Sequence, residues 1–254
     1  MWLLSNKVTV RDSGLLEGFC DCHNHLLPGV DDGVEKTEET LSILEQWEEL
    51  GVNEVWLTPH IMEDIPNMPD DLKVGFQALQ SHYQGTIKLH LAAEHMIDNL
   101  FLSRLNDRNL LPIGMTGGHL LVETSYFSPP INMEMVIDLV KDRGYIPILA
   151  HPERYQYMDR KDYRRWKERG VLFQLNVPSL VEAYGPEVTQ KAEWLLKEDM
   201  YDYCGTDTHS IEQTNHFLNS DISRKTVRKV RQIAKEQELP QFGIKKSLQN
   251  QYEE

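Results

Sequence analysis

His23 and His25 stand one residue apart in the stretch GFCDCHNHLLPGVDDG (18–33) and open a set of side chains able to bind metal. Neutral imidazole is the commonest protein ligand for borderline divalent ions. If residues 19–23 form a strand, the turn after it aims both rings into one pocket. Asp21 precedes them. Pro28-Gly29 then folds the chain back, and Asp31 and Asp32 return a hard oxygen ligand to the nitrogen ligands. His-x-His alone also suits two polar loop residues, so the weight of the reading falls on the rest of the chain.

Apolar periodicity defines the elements that must position such a pocket. Strands are predicted over 19–23, 52–58, 86–93, 119–123, 145–150, 171–177 and 200–205. Helices are predicted over 37–50, 70–83, 99–108, 133–143, 162–169, 187–198 and 222–238. Gly51, Gly144 and Gly170 supply stops after three of the helices. Residues 61–69, rich in Met and Pro, read as a loop over the site. Strand and helix alternate roughly seven times, the signature of βαβ units and a parallel sheet. No linker interrupts the pattern, so one domain is expected over 18–244, with an N-terminal arm at 1–17 and a polar tail at 245–254. The fold class is α/β. A distorted TIM-like (β/α)7 barrel is favoured over an open sheet because of where the polar residues fall.

His23, His25, His60, Glu94, Glu123, His151, Asp207 and His209 all lie at or just past the carboxyl end of a predicted strand. In a parallel barrel those ends share one face, where active sites sit. Five of the ten histidines fall there, more than scatter explains. His82 reads as a helix-surface residue and His90 as a strand residue; His119 begins a strand and points to the wrong end; His216 has no such placement. With Asp32 added, the set exceeds the about four to six ligands of one ion. A bridging carboxylate lets two ions sit about 3.5–4 Å apart. Two or three divalent ions follow. The imidazole and carboxylate mixture suits Mn²⁺, Fe²⁺ or Zn²⁺, and suits Ca²⁺ poorly.

The 254 residues carry a formal net charge of −14. That argues against a nucleic-acid-binding surface, which is usually basic, and requires metals or arginine to offset an anionic substrate. The three cysteines, Cys20, Cys22 and Cys204, are too sparse for a disulfide framework and suggest a reducing, cytoplasmic setting. None is followed by arginine six residues on, so a Cys-x5-Arg phosphatase loop is absent. The apolar residues 1–4 are too few for a membrane span, and no transmembrane segment is expected.

Taken together, Asp-x-His-x-His-x-x-Pro-Gly-x-Asp-Asp-Gly (21–33), Thr-Pro-His (58–60), Ala-Glu (93–94), Val-Glu-Thr (122–124), His-Pro-Glu-Arg-Tyr (151–155) and Thr-Asp-x-His (206–209) resemble a known group. It is the bacterial tyrosine phosphatases of the polymerase-and-histidinol-phosphatase (PHP) superfamily, found in capsule and exopolysaccharide loci. The resemblance spans residues 18–238. It implies a distorted barrel with a trinuclear metal site. Carried over by position, His23, His25, Glu94 and Asp207 hold one ion; Glu94, Glu123 and His151 a second; Asp32, His60 and His209 a third. It also assigns Arg154 to the substrate phosphate; the residues themselves leave open a surface ion pair with Glu153. Relatives carry a further phosphate-binding arginine past the Asp-x-His motif, but 210–215 hold no basic residue here and Arg224 is the next.

The chemistry implied is hydrolysis of phosphotyrosine by a water that bridging ions help to ionise near neutral pH. Tyrosinate is a fair leaving group, its conjugate acid having a pKa of about 10. Asp207 could still deliver a proton. Tyr126, Tyr155 and Tyr157 are candidates to line a groove for the aromatic ring. The partner implied is the tyrosine-rich tail of an autophosphorylating kinase controlling polysaccharide export, and relatives assemble into homo-oligomers. Three other readings stay open. They are a PHP phosphoesterase acting on a small ester such as histidinol phosphate, an amidohydrolase-like barrel, and a non-catalytic metal-binding regulatory partner. The amidohydrolase reading is weakened because no predicted strand ends in lysine.

Overall fold

The computed structural model describes residues 7–114 and 117–237. The predicted tail at 245–254 and the first six residues of the predicted arm lie outside them. In chain order the elements are β1 (Lys7–Thr9), β2 (Cys20–Asp21), α1 (Thr37–Glu49), β3 (Glu54–Leu57), β4 (His60–Ile61), α2 (Pro69–His82), β5 (Lys88–Leu91), β6 (Glu94–Met96), α3 (Phe101–Asn106) and β7 (His119–Glu123). They continue with α4 (Met133–Asp142), β8 (Ile146–Ala150), α5 (Arg160–Glu168), β9 (Leu172–Asn176), α6 (Pro186–Lys197), β10 (Tyr203–Gly205), α7 (Ile211–Asn219), β11 (Asp221–Ser223) and α8 (Arg224–Glu236).

The strands form a wall of parallel ladders. One sheet runs β10-β9-β8-β7-β6-β4 and a second runs β2-β3-β5. Two chain breaks join them. Thr58-Pro59 separates β3 from β4, and Ala92-Ala93 separates β5 from β6. Across the breaks, Ala92 N–H donates to Leu57 O at 2.9 Å and Glu94 N–H to Pro59 O at 3.1 Å. At the other side, Asp207 N–H donates to His23 O at 2.7 Å and His25 N–H to Thr208 O at 2.9 Å. The chain after β2 therefore lies beside the chain after β10.

Strand periodicity sorts the side chains. On β7, Leu120 and Val122 join the large hydrophobic core with Trp47, Phe101 and Phe173, while Leu121 joins a smaller cluster with Trp56, Ile148, Ala150 and Tyr203. Successive side chains on a strand face opposite ways. Glu123 thus shares a face with Leu121, and Gln174 and Asn176 share one with Leu172. The smaller cluster is the floor on which these polar side chains stand.

Most predicted helices form within a few residues of their expected limits. Two regions differ. Residues 211–219 form α7, which was not expected: its buried stripe is only Thr214, Phe217 and Leu218, and its start depends on Ser210 accepting from Gln213 N–H. Residues 221–223 are strand rather than the start of the last helix, because they pair antiparallel with β1. That pairing fastens residues 7–9 of the predicted arm to the domain. Among the described residues no helix is long and apolar enough to cross a membrane.

Gly205 lets two strands approach closely. A Cβ there would lie 2.7 Å from both the backbone nitrogen and the Cβ of His23. Gly205→Ala should lower stability by about 1–3 kcal/mol through overpacking, read as a shifted denaturation midpoint at unchanged m-value. An unchanged midpoint would show that this strand contact yields freely.

Candidate metal and phosphate site

Parallel register builds the site. His60 of β4 stands opposite Glu94 of β6, and Glu123 of β7 stands opposite Met96. His23 and His25 follow β2, His151 follows β8, and Asp207 and His209 follow β10. His151 and Asp207 hold left-handed backbone, at φ 32° and 51°. Non-glycine residues pay for that conformation in strain, and it recurs at functional positions.

The structure brings together all nine residues that the sequence nominates as ligands. Their donor atoms fall into four groups, each within 4.8 Å: His25, Asp32, His60 and His209; His23, His25 and Asp207; His23, Glu94 and His151; His60, Glu94 and Glu123. Compared with the positional assignment, His25 also reaches the Asp32 group and His60 reaches Glu94 and Glu123. Glu94 sits at the junction. Its Oε2 is 3.1 Å from His23 Nε2, 3.4 Å from His25 Nε2 and 3.3 Å from His60 Nδ1, and its Oε1 is 3.0 Å from His151 Nε2. Asp32, with a side chain 63% exposed, and His209, at 21%, form the open side.

Several imidazoles are held in a defined tautomer. The His23 Nδ1–H group donates to Gln174 Oε1 at 2.8 Å, and the His209 Nδ1–H group to Asp207 O at 2.8 Å. His25 Nδ1 lies 2.7 Å from Asp31 Oδ2. Each bond turns Nε2 toward the cluster, the arrangement by which outer partners orient metal-binding imidazoles. Gln174 Oε1 also accepts the His151 backbone N–H. Glu94 Oε2, Glu123 Oε1, His60 Nδ1 and His151 Nδ1 are buried without a hydrogen-bond partner. Buried polar atoms are seldom left so. Two carboxylate oxygens among oriented imidazoles fit divalent cations.

The electrostatics agree. Burial alone would lower the His23 pKa, but Glu94 and Asp207 outweigh it and push it up to about 9. His25 is raised well above its ordinary range against the same burial by Asp207, Asp31 and Glu94. Burial works to raise Glu94 and Asp207, yet the histidines around them hold both well below the usual carboxylate range, with Arg154 adding to the effect on Asp207. The side chains alone therefore balance as ion pairs, with protons where cations would sit.

Arg154 lies beside this cluster. Its Nη1–H donates to Asp207 Oδ2 at 2.5 Å, and Asn176 Nδ2–H donates to the same oxygen at 3.1 Å. The alternative ion pair with Glu153 does not form. The Glu153 carboxylate is buried and accepts from Tyr201 Oη and Asn176 N–H. Of the three tyrosines considered, Tyr126 and Tyr155 have rings 5.7 and 5.8 Å from His151, and that of Tyr126 also lies 4.5 Å from the Arg154 guanidinium. Tyr155 is buried and accepts from Thr124 N–H, and Tyr157 bonds the Thr124 hydroxyl. The supporting residues Gln174, Asn176 and Tyr184 escape the sequence reading. The first two were signalled by parity, as polar side chains on the inward face of a strand otherwise apolar. His95, buried, takes up Leu111 N–H and lies outside the ligand groups.

Oriented imidazoles and buried carboxylates at the carboxyl ends of parallel strands define a metal-site α/β protein. The chain belongs to the CpsB/CapC family of capsular polysaccharide synthesis, whose sequence profile matches residues 19–237. It is 24% identical over 204 residues to CapC of Staphylococcus aureus, covering 78% of this chain and 80% of that protein. It is 24% identical over 201 residues to the tyrosine-protein phosphatase YwqE of Bacillus subtilis, covering 77% and 79%. With the tyrosine-protein phosphatase CpsB of Streptococcus agalactiae it shares 24% over 218 residues, covering 78% and 86%. Its fold matches a structure from the crystallography of B. subtilis YwqE and Streptococcus pneumoniae CpsB, described as metal-dependent tyrosine phosphatases. The TM-score is 0.72 at 21% identity, covering 87% of this chain and 90% of that one.

Two outcomes are expected. Gln174→Leu should weaken divalent-ion binding about 10- to 100-fold by freeing His23, measured by calorimetric titration of chelator-stripped protein; unchanged affinity would remove the orienting role. In stripped protein the raised His23 pKa gives stability that is complete below about pH 6.5 and is lost as pH rises through about 9. Mn²⁺ must displace that proton, so its affinity should climb from pH 6.5 to 8.5 while the melting temperature of stripped protein falls.

Proposed function

We propose that the protein is a metal-dependent protein-tyrosine phosphatase. The observation that carries the reading is the convergence of nine ligand-type side chains on one pocket with Arg154 at its edge. Membership of a family with tyrosine phosphatases among its relatives supports it.

His23, His25, Glu94 and Asp207 would hold one ion, Glu94, Glu123 and His151 a second with His60 in reach, and Asp32, His60 and His209 a third; manganese is the first choice, then iron or zinc. When bound, the ions would supply positive charge for the phosphoryl oxygens and a nucleophile from water at neutral pH. The chain's own residues do the rest. Arg154 keeps one donor on Asp207, and among the described residues its other N–H groups have no protein acceptor. A planar guanidinium so placed can grip phosphoryl oxygens through its free edge. Tyr126 flanks the space beside His151 where the substrate's ring would enter. Asp207 is held ionised, which suits a ligand and an anchor for Arg154 better than a proton donor. Loss of a tyrosinate makes little demand for such a donor.

The wider reading follows the same line. The joined ladders are taken as one distorted (β/α)7 barrel of the PHP type, with the catalytic domain at 18–244. The substrate is a phosphotyrosine protein, the tail of a tyrosine autokinase that governs polysaccharide export, met in the cytoplasm. Assembly into a homo-oligomer belongs to this reading.

The test is phosphate release from a phosphotyrosine peptide by chelator-stripped protein, with and without Mn²⁺, beside His151→Ala and Arg154→Ala. Mn²⁺ should restore release, His151→Ala should abolish it, and Arg154→Ala should lower kcat/KM about 100-fold. Folded, metal-loaded protein that releases nothing with Mn²⁺, Fe²⁺ or Zn²⁺ would sink the reading. Preferred turnover of histidinol phosphate would replace the protein substrate by a small one.

A further inference from the structure

We propose that Tyr184 is a second donor to the substrate phosphate: its ring lies against the Arg154 guanidinium, and its hydroxyl donates to a non-bridging phosphoryl oxygen. This rests on the phosphatase reading above and deepens it.

The Arg154 guanidinium carbon lies 4.5 Å from the ring centroid of Tyr126 and 4.3 Å from that of Tyr184. Two aromatic rings thus lie against the cation, which restricts its movement and leaves its N–H groups to recognise an anion. The Tyr184 hydroxyl lies in the same network. Asn176 Nδ2 is 3.1 Å from Tyr184 Oη and 3.1 Å from Asp207 Oδ2, the oxygen that receives Arg154 Nη1. The ionised Asp207 fixes the orientation of that amide, since the amide oxygen turned toward a carboxylate would be repelled. Asn176 therefore donates to Tyr184 and cannot accept from it. The hydroxyl proton is left over, and among the described residues it has no protein acceptor. A phenol whose oxygen already accepts a hydrogen bond is the better donor for it.

The Arg154 guanidinium against the Tyr184 ring is the positive charge that would draw an anion to that hydroxyl. Tyr184 borders two open spaces. One, of about 240 Å³, also touches Thr206 and Thr208 on either side of Asp207. The other, of about 600 Å³, also touches Arg154. The stretch from Ser210 to Ser223 contains no Lys or Arg, and Lys191, which borders the larger space, already donates to the Tyr155 carbonyl, which leaves a neutral donor to assist Arg154. The loop between β9 and α6 supplies it.

The test compares wild type, Tyr184→Phe and Tyr184→Leu as full-length, Mn²⁺-loaded protein. It measures manganese content, the dissociation constant of inorganic phosphate by calorimetry, and kcat and KM for phenyl phosphate and p-nitrophenyl phosphate. Tyr184→Phe keeps the stacked ring and should keep the manganese, yet weaken phosphate roughly tenfold and raise KM equally for both esters, since their non-bridging oxygens are alike. Tyr184→Leu should lose more, because Arg154 then also loses one of the two rings against it. Wild-type phosphate affinity in Tyr184→Phe would overturn the proposal. A defect confined to phenyl phosphate, the poorer leaving group, would also overturn it by moving the hydroxyl to the leaving oxygen. Wild type that binds no phosphate and cleaves neither ester would remove the phosphatase reading itself, a result distinct from either.

Discussion

The Glu94 carboxylate is the point on which the structure turns. It is 1% exposed and has His23, His25, His60 and His151 around it. An isolated carboxylate so buried would take up a proton. Here the surrounding imidazoles keep it ionised, and it in turn keeps imidazoles that burial would neutralise charged or ready for a cation. Five histidines and four carboxylates share one small volume, so the arrangement is tolerable only with cations or protons among them. Divalent ions are the natural occupants.

Holding that volume open is the task of the residues behind it. Asp31, Gln174 and the Asp207 carbonyl each fix one nitrogen of an imidazole. Asp21 binds Thr206 through its backbone N–H and its hydroxyl, tying the chain after β10 to β2. The supports differ in charge: His25 is backed by a carboxylate and His23 by an amide. A carboxylate makes its imidazole the more basic ligand, so the two nitrogens facing Asp207 are chemically unequal. On the far side the site opens past Asp32 and His209, and Arg154 lies against two tyrosine rings at its edge.

The breaks in the sheet are part of the same design. β3 stops at Leu57 and β4 resumes at His60; β5 stops at Leu91 and β6 resumes at Glu94. Pro59 cannot donate to a ladder, and its carbonyl is used instead to accept Glu94 N–H. Each offset sets a ligand at the first residue of a short strand, paired with its neighbour in register. The register is the same on both sides of the interruption, Leu57 opposite Leu91 and His60 opposite Glu94, so the two ligands stay side by side across it.

The sequence by itself determined the alternation of strand and helix and the nine ligand candidates. Both depend on local properties: apolar periodicity, and polar residues set where strands end. A charged residue at such a position breaks the local pattern and so stands out. It could not determine which partner each imidazole would take. Gln174 and Asn176 show in the sequence only as polar residues on the inward face of an apolar strand and Tyr184 carries no signal, and their roles follow from β9 lying between β8 and β10. Nor could it foresee α7 or the pairing of β1 with β11, since the one has a weak apolar stripe and the other joins segments more than 200 residues apart. Tertiary structure alone decided the left-handed backbone at His151 and Asp207 and the sharing of Glu94 among four histidines. Such contacts arise between strands distant in the chain, where spacing along the sequence carries no information about distance in space.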